Sequence, residues 1–244
     1  VRESSGEPTA VTRRRLFGIT AGTAATLMAA GAPASARTGS SVPGATSLDA
    51  ESAWRMLAEG NQRFVTGHQT HPHESLNWRE SLVAGQHPFA VILGCADSRV
   101  PPELVFDEGL GDLFTIRAAG EVLDNSVLGS VEYALEHLGV PLVVVLGHAK
   151  CGAVSATVDV VRGRAEVSGE VSTLVRSIEP AVLSTPPDAD EARFLATAVD
   201  NQAKRVASLM QERSATIRTA VAEHGVKVVA ASYQLDTGKV TRLT

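Results

Sequence analysis

Two continuous apolar runs, residues 89–93 and 142–146, each stop at a glycine, and runs of that length bounded by glycine predict buried strands. Three further stretches read as strands: 113–117, 226–233 and, after the turn Asp236-Thr237-Gly238, 239–243. The segments between them have helical spacing. A first helix begins at Ser47-Leu48-Asp49, with Trp54, Leu57, Ala58, Asn61 and Phe64 on one side and Gly60 and Gly67 as breaks. Pro101-Pro102 open a short helix, and Glu103 suits its positive end. Asp124-Asn125-Ser126 cap a helix whose apolar face is Val127, Val131, Ala134, Leu135 and Leu138 and whose stop is Gly139. Helices are also expected over 153–162 and 191–224. Strands alternating with helices predict an α/β fold: a central, mostly parallel sheet of about five strands flanked by helices, with an N-terminal helical arm.

In such sheets ligands gather at the carboxyl ends of the strands. The two apolar runs lead directly into Gly94-Cys95-Ala96-Asp97-Ser98-Arg99 and Gly147-His148-Ala149-Lys150-Cys151-Gly152, which hold the only two cysteines of the chain. Each glycine before the first polar residue is expected to let the backbone turn tightly. Two thiolates and an imidazole suit Zn²⁺, whose charge the thiolates cancel while a fourth position stays open. Asp97 then has two possible roles. It is either a fourth ligand that closes the site or, held by Arg99 in a charge-assisted pair, a helper off the metal. A disulfide between Cys95 and Cys151 is the structural alternative, but it leaves His148 and the Asp97–Arg99 pair without a purpose. His68, His71 and His73, around Pro72, read as a solvated loop, and His137 as a surface residue.

Composition narrows the partners. The 244-residue chain carries a formal charge of −5 and has no basic run outside its N-terminus, which argues against nucleic acid. With aromatics at only 4%, stacking platforms for bases or sugars are not expected, so a small substrate fits better. Near the N-terminus, Arg13-Arg14-Arg15 precedes an uncharged stretch over 18–32 and then Ala34-Ser35-Ala36. That order is a twin-arginine-type signal peptide over 1–36, followed by a Ser/Gly/Pro/Thr-rich linker over 37–47 and a domain over 48–244. A spanning helix needs about 20 apolar residues and this run is shorter, so no stable membrane anchor is expected after cleavage. The expected location is periplasmic or extracellular.

Cys-x-Asp-Ser-Arg followed by His-x-x-Cys-Gly resembles the signature of β-class carbonic anhydrases, and the resemblance runs from about residue 48 to 243. It implies a zinc lyase in which zinc-bound hydroxide attacks carbon dioxide to give bicarbonate and a proton. It further implies Cys95, His148 and Cys151 as metal ligands, Asp97 and Arg99 as the catalytic dyad, and Gln86, Phe114 and Gly152 as substrate-pocket residues. Gln86 would act across a dimer interface, and the arm would wrap a neighbour, so a homodimer or a dimer of dimers is implied. Carbonyl sulfide and carbon disulfide hydrolases resemble the same family, which leaves them as alternatives, beside a non-catalytic exported zinc or bicarbonate-binding module. Two positions depart from the family pattern. Ile92 stands where members closed by the aspartate carry tryptophan, and Glu121 stands where relatives usually have asparagine.

Overall fold

The computed structural model describes residues 48–244; the expected signal peptide and linker lie outside the described residues. Five strands form one sheet in the order β2-β1-β3-β4-β5: β1 (Ala90–Gly94), β2 (Leu113–Arg117), β3 (Leu142–His148), β4 (Lys227–Tyr233) and β5 (Val240–Leu243). The first four are parallel, and β5 turns back antiparallel on β4. β1 and β3 are buried along their whole length, as their unbroken apolar runs require.

Alternate residues of these strands face two layers. Val91, Leu93, Val143 and Val145 pack with α4 (Asn125–Leu138), α7 (Glu191–Arg213) and α8 (Ala215–Glu223). Ile92, Val144 and Leu146 pack with α1 (Ala50–Thr66) and α3 (Pro102–Val105). A third cluster contains Cys95 and Cys151 together with side chains of α5 (Gly152–Val161), α6 (Val171–Leu183) and α7. A short α2 (Leu76–Ser81) completes the described helices, none of which is long and apolar enough to cross a membrane.

Several expectations are met in detail. Asp49 caps α1 by accepting from the Ser52 N–H at 2.7 Å, Asp124 caps α4 by accepting from the Val127 N–H at 2.8 Å, and Gly139 ends α4 with φ 66°. Others are corrected. Gly60 lies inside α1, because a Cβ there would stand 1.7 Å from the Phe106 carbonyl oxygen; it marks a close approach rather than a break. Asn61 beside it donates to the carbonyls of Val105 (3.0 Å) and Gly238 (2.8 Å) and accepts from the Val240 N–H (2.8 Å). The helix expected over 191–224 is two helices, divided at Ser214, whose backbone is extended and whose hydroxyl accepts from the Ile217 N–H. His68 and His71 are exposed, but His73 is no free loop residue: its Nδ1 lies 2.7 Å from the Asp112 carboxylate and its ring stacks on Trp78.

Candidate metal centre

β2 lies on one side of β1 and β3 on the other, so the chain leaving β1 and the chain leaving β3 enter one crevice at the carboxyl edge of the sheet. Cys95 is the first residue beyond β1, His148 is the last of β3, and Cys151 is the N-cap of α5. Their ligand atoms all lie within 4.8 Å of one another, and all three residues are buried. Both thiols are free. The glycines before these segments do not serve as turns, contrary to expectation, since neither has a positive φ. Gly147 is needed for space: a Cβ there would meet Glu121 Oε1 at 3.1 Å and Ala203 and Val199 at 3.3 Å. The strained position is Lys150, which takes φ 55° to bring Cys151 back beside His148.

His148 shows what the trio lacks. Its Nδ1 lies 3.0 Å from the Ala149 carbonyl oxygen, which can only accept, so Nδ1 carries the proton. Nε2 is left with a lone pair, buried and without a hydrogen-bond partner. A buried acceptor without a partner is costly, and a cation bound by the two sulfurs would satisfy it. Around tetrahedral zinc, sulfur and nitrogen donors stand roughly 3.5–4 Å apart, which the 4.8 Å limit accommodates. The residues therefore fit a zinc ion. The two sulfurs are pushed apart in acidity: contact with Cys151, helped by the Gly120 N–H, draws the Cys95 pKa down, whereas that same contact and burial push that of Cys151 up.

Asp97 stands beside this group, its Oδ2 3.9 Å from His148 Nε2. Both its oxygens are occupied: Oδ1 accepts from the Arg99 backbone N–H (3.0 Å) and Nε (2.9 Å), and Oδ2 from the Arg99 guanidinium (2.7 Å). The Arg99 side chain thereby holds the Asp97 carboxyl well below the usual carboxylate range. Gly152 is exposed, with nothing within 4 Å of where a Cβ would be, so the approach over the start of α5 is open.

Gln86 and Phe114 are not gathered at this point. Gln86 is exposed and shares a surface hollow with Trp78, Tyr133 and Leu138, while Phe114 packs toward α4, its ring centroid 6.2 Å from that of Tyr133. Two residues absent from the expected site brace it. Arg117, at the end of β2, donates to the carbonyls of Cys95 (2.9 Å) and Asp97 (2.6 Å). Gln202 donates from Nε2 to the Gly120 carbonyl at 3.0 Å, and the Gly120 N–H lies 3.3 Å from Cys95 Sγ. Spacing signals Gln202, which falls on the buried stripe Ala198, Val199, Ala203 and Val206 of α7.

The comparisons with known proteins agree with this geometry. A family model described as carbonic anhydrase matches residues 90–240. Carbonic anhydrase 2 of Mycobacterium tuberculosis is 44% identical over 191 residues, covering 77% of this chain and 89% of that protein. The carbonic anhydrase of Mycolicibacterium smegmatis is 43% identical over 188 residues, covering 77% and 90%. Among solved structures, a tetrameric β-carbonic anhydrase of Sordaria macrospora aligns with TM-score 0.62 and 22% identity over 78% of this chain and 95% of its own. The β-carbonic anhydrase CcaA aligns with TM-score 0.61 and 24% identity over 78% and 87%. By sequence this chain belongs to the carbonic anhydrase family, and its fold is that of the β class.

Proposed function

We propose that the protein is a zinc enzyme that reversibly hydrates carbon dioxide to bicarbonate and a proton. The observation that carries this reading is the buried trio Cys95, His148 and Cys151, whose one unprotonated ring nitrogen has no partner while Asp97 stands ion-paired beside it. Zinc, when bound there, supplies the Lewis acidity that makes a water molecule acidic enough to serve as nucleophile. The residues of this chain do the remaining work. Asp97, kept ionised by Arg99, accepts a hydrogen bond from the attacking water and aims it at carbon dioxide. Arg99 occupies both carboxylate oxygens and so restrains Asp97 from acting as a fourth ligand. Gly152 leaves the approach to the reacting carbon uncrowded.

Gln86 and Phe114 enter this reading as pocket residues of an assembled dimer or dimer of dimers, Gln86 from the partner subunit. Support comes from Tyr133, a large and exposed side chain that lines the same hollow as Gln86. Size-exclusion chromatography with light scattering tests the assembly. The N-terminal sequence supports twin-arginine export to a periplasmic or extracellular location, with residues 1–36 removed. Folding before export would place zinc on both thiolates before they meet an oxidising compartment.

Stopped-flow hydration on metal-analysed protein tests the reaction. One zinc per chain and a rate that follows zinc content are expected. A zinc-free Cys151→Ser protein hydrating carbon dioxide at the full rate would overturn the reading.

A further inference from the structure

Two buried polar side chains beside the trio take no part in the hydration chemistry. Glu121 closes the 3₁₀ turn Ala119–Glu121, is 1% exposed, and has no hydrogen-bond partner at either carboxyl oxygen. Gln202 is also 1% exposed; its Nε2 is engaged by Gly120, but its Oε1 has no partner. Gly120 lies between them, held on one side by the Gln202 amide and donating on the other to Cys95 Sγ. The turn has little freedom, because Gly120 takes φ 66° and a Cβ on it would stand 2.6 Å from Ile178 Cδ1. Glu121 Oε1 and the α7 residues Val199 and Ala203, which flank Gln202, crowd the same point over Gly147.

The two orphaned groups are chemically complementary. An amide oxygen only accepts, so Oε1 of Gln202 needs a donor, and a carboxylate offers none, whereas a carboxylic acid carries one O–H. Glu121 has no ion pair with any cation among the described residues, is fully buried and has no donor at either oxygen, which favours the neutral acid. Burial pushes its pKa well above the ordinary carboxyl value.

We propose that Glu121, as a carboxylic acid, donates to Gln202 Oε1, and that this acid–amide pair fixes the Ala119–Glu121 turn and thereby positions Cys95 for the metal. Both are positioning residues, and the assignment rests on Cys95 being a ligand. With Oε1 held, the amide cannot flip, so Nε2 stays on the Gly120 carbonyl and the Gly120 N–H stays on the sulfur. A hydrogen bond to a ligand sulfur orients it and draws off electron density, tuning its bond to the metal.

Cobalt(II)-substituted protein provides the readout, because its sulfur-to-metal charge-transfer band reports on the thiolates directly. Glu121→Met and Gln202→Met should move the band to lower energy and speed metal dissociation about ten-fold, as loss of an outer partner of a metal ligand commonly does. Glu121→Gln, which restores a donor, should keep both wild-type values. Asn61→Leu, which removes a buried amide remote in its contacts from the trio, should lower the melting temperature without moving the band. Wild-type band position and dissociation rate in both methionine variants would overturn the proposal, as would Glu121→Gln behaving like Glu121→Met. If the methionine variants do not fold, infrared difference spectra decide: a neutral carboxyl stretch at pH 7 that vanishes in Glu121→Gln is expected, and its absence refutes the pair. A wild-type cobalt protein without any thiolate band would instead refute Cys95 and Cys151 as ligands, and the infrared result would still judge the acid–amide pair.

Discussion

His148 is the last residue of a strand buried along its whole length, and Cys151 caps the helix three residues later; Cys95, Asp97 and Arg99 occupy a stretch after β1 that has no regular structure. The first segment is positioned by the sheet and α5, and its backbone joins β4 through the Ala149 N–H on the Tyr233 carbonyl at 2.8 Å. The second is positioned by groups brought from elsewhere, Arg117 on two carbonyls and Gly120 on the sulfur, and by its own Arg99 on the carboxylate. In the proposed reading, affinity for zinc is thus invested mainly in rigid elements, which hold ligands more accurately than loops do. In the same reading, Asp97, which orients the attacking water, sits on the segment whose geometry is set by replaceable ion pairs and hydrogen bonds.

Substitutions on the two segments should therefore differ in kind. The largest effect belongs to the β3 segment: His148→Ala or Cys151→Ser should abolish both zinc binding and hydration, measured by metal analysis and stopped flow. Asp97→Asn on the other segment should keep the full complement of zinc and lose roughly 100-fold in kcat, the scale of losing a preorganised hydrogen-bond partner of the reacting group. Loss of metal in that variant would break the distinction, since it would make Asp97 a ligand. Arg117→Leu should retain zinc and lower kcat/KM about ten-fold, by loosening the carbonyls of Cys95 and Asp97. The smallest effect is expected from Lys150→Gly. Relief of the left-handed backbone is opposed by greater freedom of the unfolded chain, so the stability to denaturant should change by less than about 1 kcal/mol, with activity retained.

The same contrast governs what the sequence discloses. His148 and Cys151 are legible because an apolar run, a glycine and a helix start lie in one continuous stretch of chain. Cys95 is legible for the same reason, but its supports are not, since Arg117, Gly120 and Gln202 reach it only through the sheet order and the packing of α7. Gly147 shows how a correct identification can carry a wrong reason: the crowding by Glu121, Val199 and Ala203 is tertiary and has no local trace. α6 has no counterpart among the expected elements; Leu174, Val175, Ile178 and Val182 have helical spacing, but Pro180 within it weakens that signal. Gln86 and Phe114 were inferred from resemblance alone, and one protomer places them on another face.

Asn61 has a consequence for the time course of folding. Its amide joins α1 to the Gly238 carbonyl and the Val240 N–H, partners 177 and 179 residues further along the chain. The first helix of the domain therefore cannot lock into place until the last strand has left the ribosome. Contacts of such sequence separation form late and slow folding, because a long loop must close before they contribute. The apolar face of α1, with Ala53 and Leu57, is a surface that a nascent chain must keep from aggregation until the strands and α3 that cover it are in place.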